Sequence, residues 1–225
     1  MRITMYGQVL CTGGFLMSNI QKIWLASLRA NWLYVLAVLL CFILGSCFGV
    51  LSVDYLNHQQ VDSLIVYLDG FIENVSVLNI DTKEALKTSI TNNLLVVLAI
   101  YLMGLTVLGI PLVLVLIFFR GFALGFTFGF LTKQKAWQGI TLAAVSVLPQ
   151  NIFYVPALLI GSVASLSFSV LLVRRYFNSK VAVWPSFLGY SFLMLMVTAA
   201  AVGAGFIEVY FTPWLIKTCA TVLVD

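Results

Sequence analysis

An all-α, polytopic membrane protein is the fold the sequence predicts: five transmembrane helices, a short re-entrant or interfacial helix, and one extracytoplasmic amphipathic helix. Three observations predict it. The 225-residue chain is 62% hydrophobic and only 9% charged, whereas a soluble domain carries about 25% charged residues. Several apolar runs reach about 20 residues, the length that crosses a hydrocarbon core roughly 30 Å thick as a helix. The lysines and arginines sit at the ends of those runs, where cytoplasmic flanks collect them. The net charge of +4 is therefore no nucleic-acid signal. No long polar segment separates the runs, so a single integral membrane domain is expected over residues 1–225, in contact with the lipid bilayer.

Residues 1–31 carry Arg2, Lys22 and Arg29 and no acid, which reads as a cytoplasmic N-terminal segment. Its apolar run begins too late and continues too long for a cleavable signal peptide. The first crossing is expected over residues 33–53. Gly45 and Gly49 make a GxxxG pair inside it, a spacing that lets two backbones approach closely.

Residues 54–91 hold Asp54, Asp62, Asp69, Glu73, Asp81 and Glu84 against Lys83 and Lys87. Following a basic flank and one crossing, this segment reads as an extracytoplasmic loop. Leu64, Leu68, Phe71, Ile72 and Val75 recur at helical spacing and predict a short amphipathic helix within it. Asp81 or Thr82 can cap the next helix, which is expected to run from Thr82 into the second crossing, residues 94–119. Gly109 and Pro111 are expected to kink that crossing. Arg120 then falls at the inner boundary, where it avoids the roughly 2.5–3.5 kcal/mol that a mid-bilayer arginine costs on insertion scales.

The middle of the chain admits two solutions. In one, residues 121–131 re-enter or lie at the inner face, Lys133 and Lys135 stay inside, and a short third crossing reaches Pro149 outside. In the other, the third crossing starts near Arg120 and both lysines are outside. The first is preferred because it keeps nearly all basic residues inside. Gly121, Gly125 and Gly129 form a ladder with one glycine per helical turn, beside a ridge of Phe122, Phe126 and Phe130. A fourth crossing follows over residues 152–173, with Ala157, Gly161, Ser165 and Ser169 on one face and Arg174, Arg175 and Lys180 closing it. Pro149, Gln150, Asn151 and Pro156 mark its start. The fifth crossing covers residues 185–207 and ends at Glu208. An odd number of crossings puts the C-terminus outside.

Catalytic constellations are absent from the sequence. No HExxH, CxxC or phosphate-binding glycine loop occurs, His58 is the only histidine, and no aspartate pair lies within the apolar runs. The four cysteines, Cys11, Cys41, Cys47 and Cys219, read as small hydrophobes. The chain is thus expected to be no enzyme and to hold no cofactor and no metal. Glu208 reads as an interfacial acid or as a buried partner for a tyrosine or lysine.

At RGFALGFTFGFL and SVLPQNIFYVPALL the chain closely resembles the stage II sporulation protein M family. The likeness extends to Asn92-Asn93, to Gly109-Ile110-Pro111 and to the segment from Glu208 to Pro213. The wider family often carries histidine, glycine and glutamate after the first proline; here those positions read Gln150, Asn151 and Tyr154, which fits the sporulation branch. The resemblance implies a five-helix scaffold in the septal and engulfing membrane of endospore-forming bacteria. It also implies partners, the peptidoglycan-degrading stage II sporulation proteins D and P. The alternative class is a small transporter or a transporter's membrane subunit. A transporter should show a polar cavity at mid-membrane; a scaffold should show small-residue grooves facing lipid. Such grooves would equally serve a homo-oligomer.

Overall fold

A computed structural model describes residues 32–76, 82–177, 183–212 and 214. The basic flank 1–31, the candidate cap Asp81, Lys180 and Pro213 lie outside them. Helix α1 runs Trp32–Ser52 and closes in a 3-10 turn, Val53–Tyr55. Helix α2 is His58–Ser76, α3 is Thr82–Gly104, α4 is Gly109–Phe177 and α5 is Trp184–Phe206, which continues as a π-helical segment, Ile207–Phe211. No strand occurs among the described residues.

Five stretches are long and apolar enough to cross a membrane: Trp32–Tyr55, Lys83–Gly104, Gly109–Lys133, Val147–Phe177 and Trp184–Phe211. The protein is therefore an all-α, multi-pass membrane protein. Leucines, isoleucines and phenylalanines cover its outer surface, as in Leu36, Leu40, Ile43, Leu95, Leu112, Phe119, Phe192 and Leu195, all exposed. In water such a surface would be an aggregation liability; in lipid it is the solvent-facing side.

The 69 residues of α4 supply two of the spans. A straight helix would hold Arg120 and Tyr154 about 50 Å apart at 1.5 Å per residue. They are instead hydrogen-bonded at 3.1 Å. Helix α4 is therefore bent back on itself between them into a first arm, Gly109–Lys133, and a second arm, Val147–Phe177. Matching contacts fix the directions. Gly45 meets Phe118, Gly49 meets Phe122 and Gly129 meets Val50, so α1 and the first arm run parallel. Tyr154, Ser165 and Ser169 meet Asn93, Ile100 and Gly104 in the same order, so the second arm runs parallel to α3. Tyr190, Asn93 and Glu208 place α5 antiparallel to α3. One end of the bundle thus holds the turn between α3 and α4, with Trp32, Arg174 and Trp184. The other, the bend end, holds Tyr55, Lys133, Val147 and Phe211.

The number of spans is as expected, but the path through the middle is not. The expected second crossing over residues 94–119 is two helices: α3 stops at Gly104, and α4 begins at Gly109. The intervening turn is closed by backbone bonds from Leu105 to Leu102, Thr106 to Met103 and Gly109 to Thr106. Thr106 also bonds the Met103 carbonyl, and Ser169 donates to the carbonyls of Gly104 and Thr106 at 3.0 Å each. These donors satisfy helix-end carbonyls that would otherwise be orphaned in lipid. Pro111 is not a kink. It stands in the first turn of α4, where its missing N–H costs nothing. Residues 121–131 are neither re-entrant nor interfacial; they belong to the third span. Lys133 lies at the bend end, paired with Asp54 at the end of α1, so it shares an end with the start of the 54–91 segment, as the alternative solution has it and the preferred one does not. The expected amphipathic helix is α2.

Candidate functional site

Two kinds of surface position the side chains singled out by sequence. The first is close packing. A methyl group built on Gly45 or Gly49 would overlap the carbonyl oxygens of Phe118 or Phe122. One on Gly121 or Gly125 would overlap those of Phe42 or Ser46. Gly129 faces Val50 and Val53. The glycines of α1 and of the first arm are therefore two halves of a single seam, with backbone against backbone. Their contact surface is taken up within the chain. Phe122, Phe126 and Phe130 stack beside it, with centroids 6.3 and 6.2 Å apart. On the second arm, Gly161 faces Met194 and Val197 of α5, Ala157 packs on the core, and Ser165 is fully buried with its hydroxyl on the Ile100 carbonyl at 3.0 Å. Pro156 is exposed. Pro149 lines a shallow apolar groove of about 450 Å³ with Leu148, Ile152, Phe153, Ile207 and Phe211.

The second kind is a polar seam along α3, the second arm and α5. Near the bend end, Glu208 accepts from Ser89 and, at 2.7 Å, from Gln150. Gly205 lets α5 approach α3 there, since a side chain would meet Ile90 and Ser89. Glu208 sits in the π-helical segment, a widened turn of the kind often found at functional sites. Asn151 is spent on its own helix, donating to the Val147 carbonyl at 2.7 Å. One turn deeper, Arg120 Nη2 donates to the Tyr154 hydroxyl at 3.1 Å. Its guanidinium carbon also stands 5.2 Å from the centre of the Tyr154 ring, within cation–π range. The Tyr154 hydroxyl in turn donates to the Asn93 carbonyl, and the Asn93 amide to the Ala201 carbonyl, both at 3.5 Å. Asn93 and Tyr154 are 4% and 3% exposed.

Arg120 is thus not at a boundary. It is the twelfth residue of the 25-residue span Gly109–Lys133. The expectation failed because the helix was started too early: with the turn at residues 105–108, Arg120 moves to mid-span. Its Nε is buried with no hydrogen-bond partner among the described residues. Glu208 proves to partner a serine and an amide, neither the tyrosine nor the lysine considered. Ser89 and Asn93 were missed as a pair, and so was the role of Tyr154. The signal was present: 89/93 and 150/154 are both four apart, so each pair shares a helix face. No group of three or more potential metal ligands occurs among the described residues.

A family model described as stage II sporulation protein M matches residues 38–213, a range that takes in all or most of every span. No curated protein and no solved structure matches the chain.

Proposed function

The chain belongs to the stage II sporulation protein M family, a sporulation-related family of membrane proteins, and from that premise we propose that it is a non-enzymatic scaffold for forespore engulfment. It anchors the membrane-bound peptidoglycan hydrolases, stage II sporulation proteins D and P, at the septum and in the engulfing membrane. The family match across the bundle is the observation that carries this reading. The chemistry of the described helices is in keeping with it, since their hydroxyls and amides are spent on hydrogen bonds within helices, as at Ser162 and Thr198, and between them, as at Asn93, Ser165 and Tyr190. The positive-inside rule orients the bundle with its turn end, carrying Arg174 and Arg175, in the cytoplasm. Asp54, α2 and Lys133 are then extracytoplasmic, on the side where a cell-wall hydrolase acts.

The experiment is affinity purification of the tagged protein from sporulating cells, cross-linked before solubilisation and blotted for both hydrolases. Both should be retained, and deletion of the gene should disperse them and stall engulfment. Undisturbed hydrolase localisation in the deletion strain would sink the scaffold reading. The transporter alternative has one observation in its favour, the polar cluster of Arg120, Tyr154 and Asn93 within the spans. It predicts solute flux in reconstituted vesicles, abolished by Arg120→Leu.

A further inference from the structure

Arg120 has a requirement that the described chain does not meet. It stands about 16 Å from the start of its span and about 20 Å from Lys133, at 1.5 Å per residue. Snorkelling serves basic residues near helix ends; this one is near the centre of the core. A guanidinium is always charged and offers five donors in a planar fork. Here one hydrogen bond goes to a neutral phenol, the ring supplies a cation–π contact, and Nε is buried without a partner. Among the described residues no carboxylate lies within ion-pair distance of it. Glu208, in the last turn of the fifth span, is held by Ser89 and Gln150. Those two residues lie four positions, about 6 Å, nearer the bend end than Asn93 and Tyr154.

The surroundings give access from one side. Val113 and Ile117, on the same face of the first arm as Arg120, are fully buried. Arg120 and Leu124, the next positions on that face, are only partly buried. Phe119 is 63% exposed, and Ala123 is exposed as well. The face that is sealed toward the turn end therefore opens at Arg120 onto the lipid side.

We propose that Arg120 is an intramembrane receptor for a carboxylate on a partner's transmembrane helix, which docks along Phe119 and Ala123. Depth selects this occupant. A lipid phosphate stays at the headgroup level, out of reach of a residue at the centre of the core. In hydrocarbon, a helix is the element that can bring a side chain to that depth with its own backbone satisfied. An aspartate or glutamate on such a helix would meet the guanidinium end-on and accept from the Nη donors that Tyr154 leaves unused, while Nε stays buried behind them. The proposal rests on the scaffold reading and deepens it, by naming what an anchor helix must carry.

The test uses the full-length protein, donor-labelled and reconstituted in phosphatidylcholine vesicles. The probe is an acceptor-labelled leucine–alanine transmembrane peptide of about 20 residues, with a single central glutamate; its control carries glutamine instead. Energy transfer should show the glutamate peptide associating about threefold to tenfold more tightly than the glutamine one. Arg120→Gln should abolish the preference, and Arg120→Lys should keep part of it, which separates charge recognition from a failure to fold. Equal association of the two peptides with the unaltered protein overturns the proposal, and so does a preference that survives in Arg120→Gln. Neither result bears on hydrolase retention in cells, so failure here is distinguishable from failure of the scaffold reading.

Discussion

At Gly125 the geometry leaves no room for even the smallest side chain. Sequence spacing alone suits a groove in which alanine is tolerated and leucine is not. The structure sets a harder limit, because the obstacle is the Ser46 backbone and not the tip of a side chain. Gly125→Ala should therefore separate α1 from the first arm and destabilise the protein by about 1–3 kcal/mol, the usual cost of overpacking. Gly125→Leu should do so more severely. Gly203→Ala is the control, since nothing lies near that position. Midpoints of unfolding in mixed micelles titrated with dodecyl sulfate would rank the three. Equal midpoints for Gly125→Ala and Gly203→Ala would show that the seam is not closely packed. Tyr154 allows a second test. Its hydroxyl both accepts from Arg120 and donates to Asn93, whereas its ring supplies the cation–π contact. Tyr154→Phe should cost about 1 kcal/mol, within the range of interhelical hydrogen bonds in membranes. Tyr154→Leu removes the ring as well and should cost more.

At the scale of elements, the deciding feature is the turn between Gly104 and Gly109. Four residues, Leu105–Leu108, reverse a chain that reads in sequence as one long apolar run. Ser169, from the second arm, holds the turn by donating to two of its carbonyls. Ser169→Ala should therefore loosen the turn and lower stability by about 1 kcal/mol. Pro111→Ala should be close to neutral, because the ring sits in the first turn of α4, where no backbone donor is needed. A proline kinking the middle of a crossing would behave differently on removal, relaxing the bend and moving everything beyond it. Hydrogen exchange at residues 105–108 would separate the two cases: faster in Ser169→Ala, unchanged in Pro111→Ala.

For the whole molecule, the alternation of five spans makes a strict prediction about sides. In a cysteine-free background, Asp69→Cys and Gln134→Cys should both react with an impermeant thiol reagent in intact cells. Asn178→Cys should be protected. Protection at position 134 with labelling at 69 would contradict the bend end as a single face. Lys133 and Asp54 pair at that end on the surface, where such a bridge contributes only about 0–1 kcal/mol. The cohesion of the bundle lies in its seams: glycine backbones on one side, and Ser165, Ser169, Tyr190 and Tyr154 bonding to neighbouring carbonyls on the other.

Composition and run length by themselves determined that the chain is helical, that it lives in lipid and that it crosses five times. These follow from one-dimensional quantities, apolar length against bilayer thickness and the absence of water to satisfy an open backbone. The motifs at RGFALGFTFGFL and SVLPQNIFYVPALL also carried the family resemblance. Which apolar residues belong to which helix was decided only in three dimensions. A run such as LMGLTVLGIPLVL has no hydropathy minimum at its turn, because the turn's carbonyls are satisfied by Thr106 and by Ser169, some sixty residues away, and not by water. The same holds for Arg120. Its depth depends on where the turn falls, and its environment on Tyr154, 34 residues along a helix that bends back to meet it.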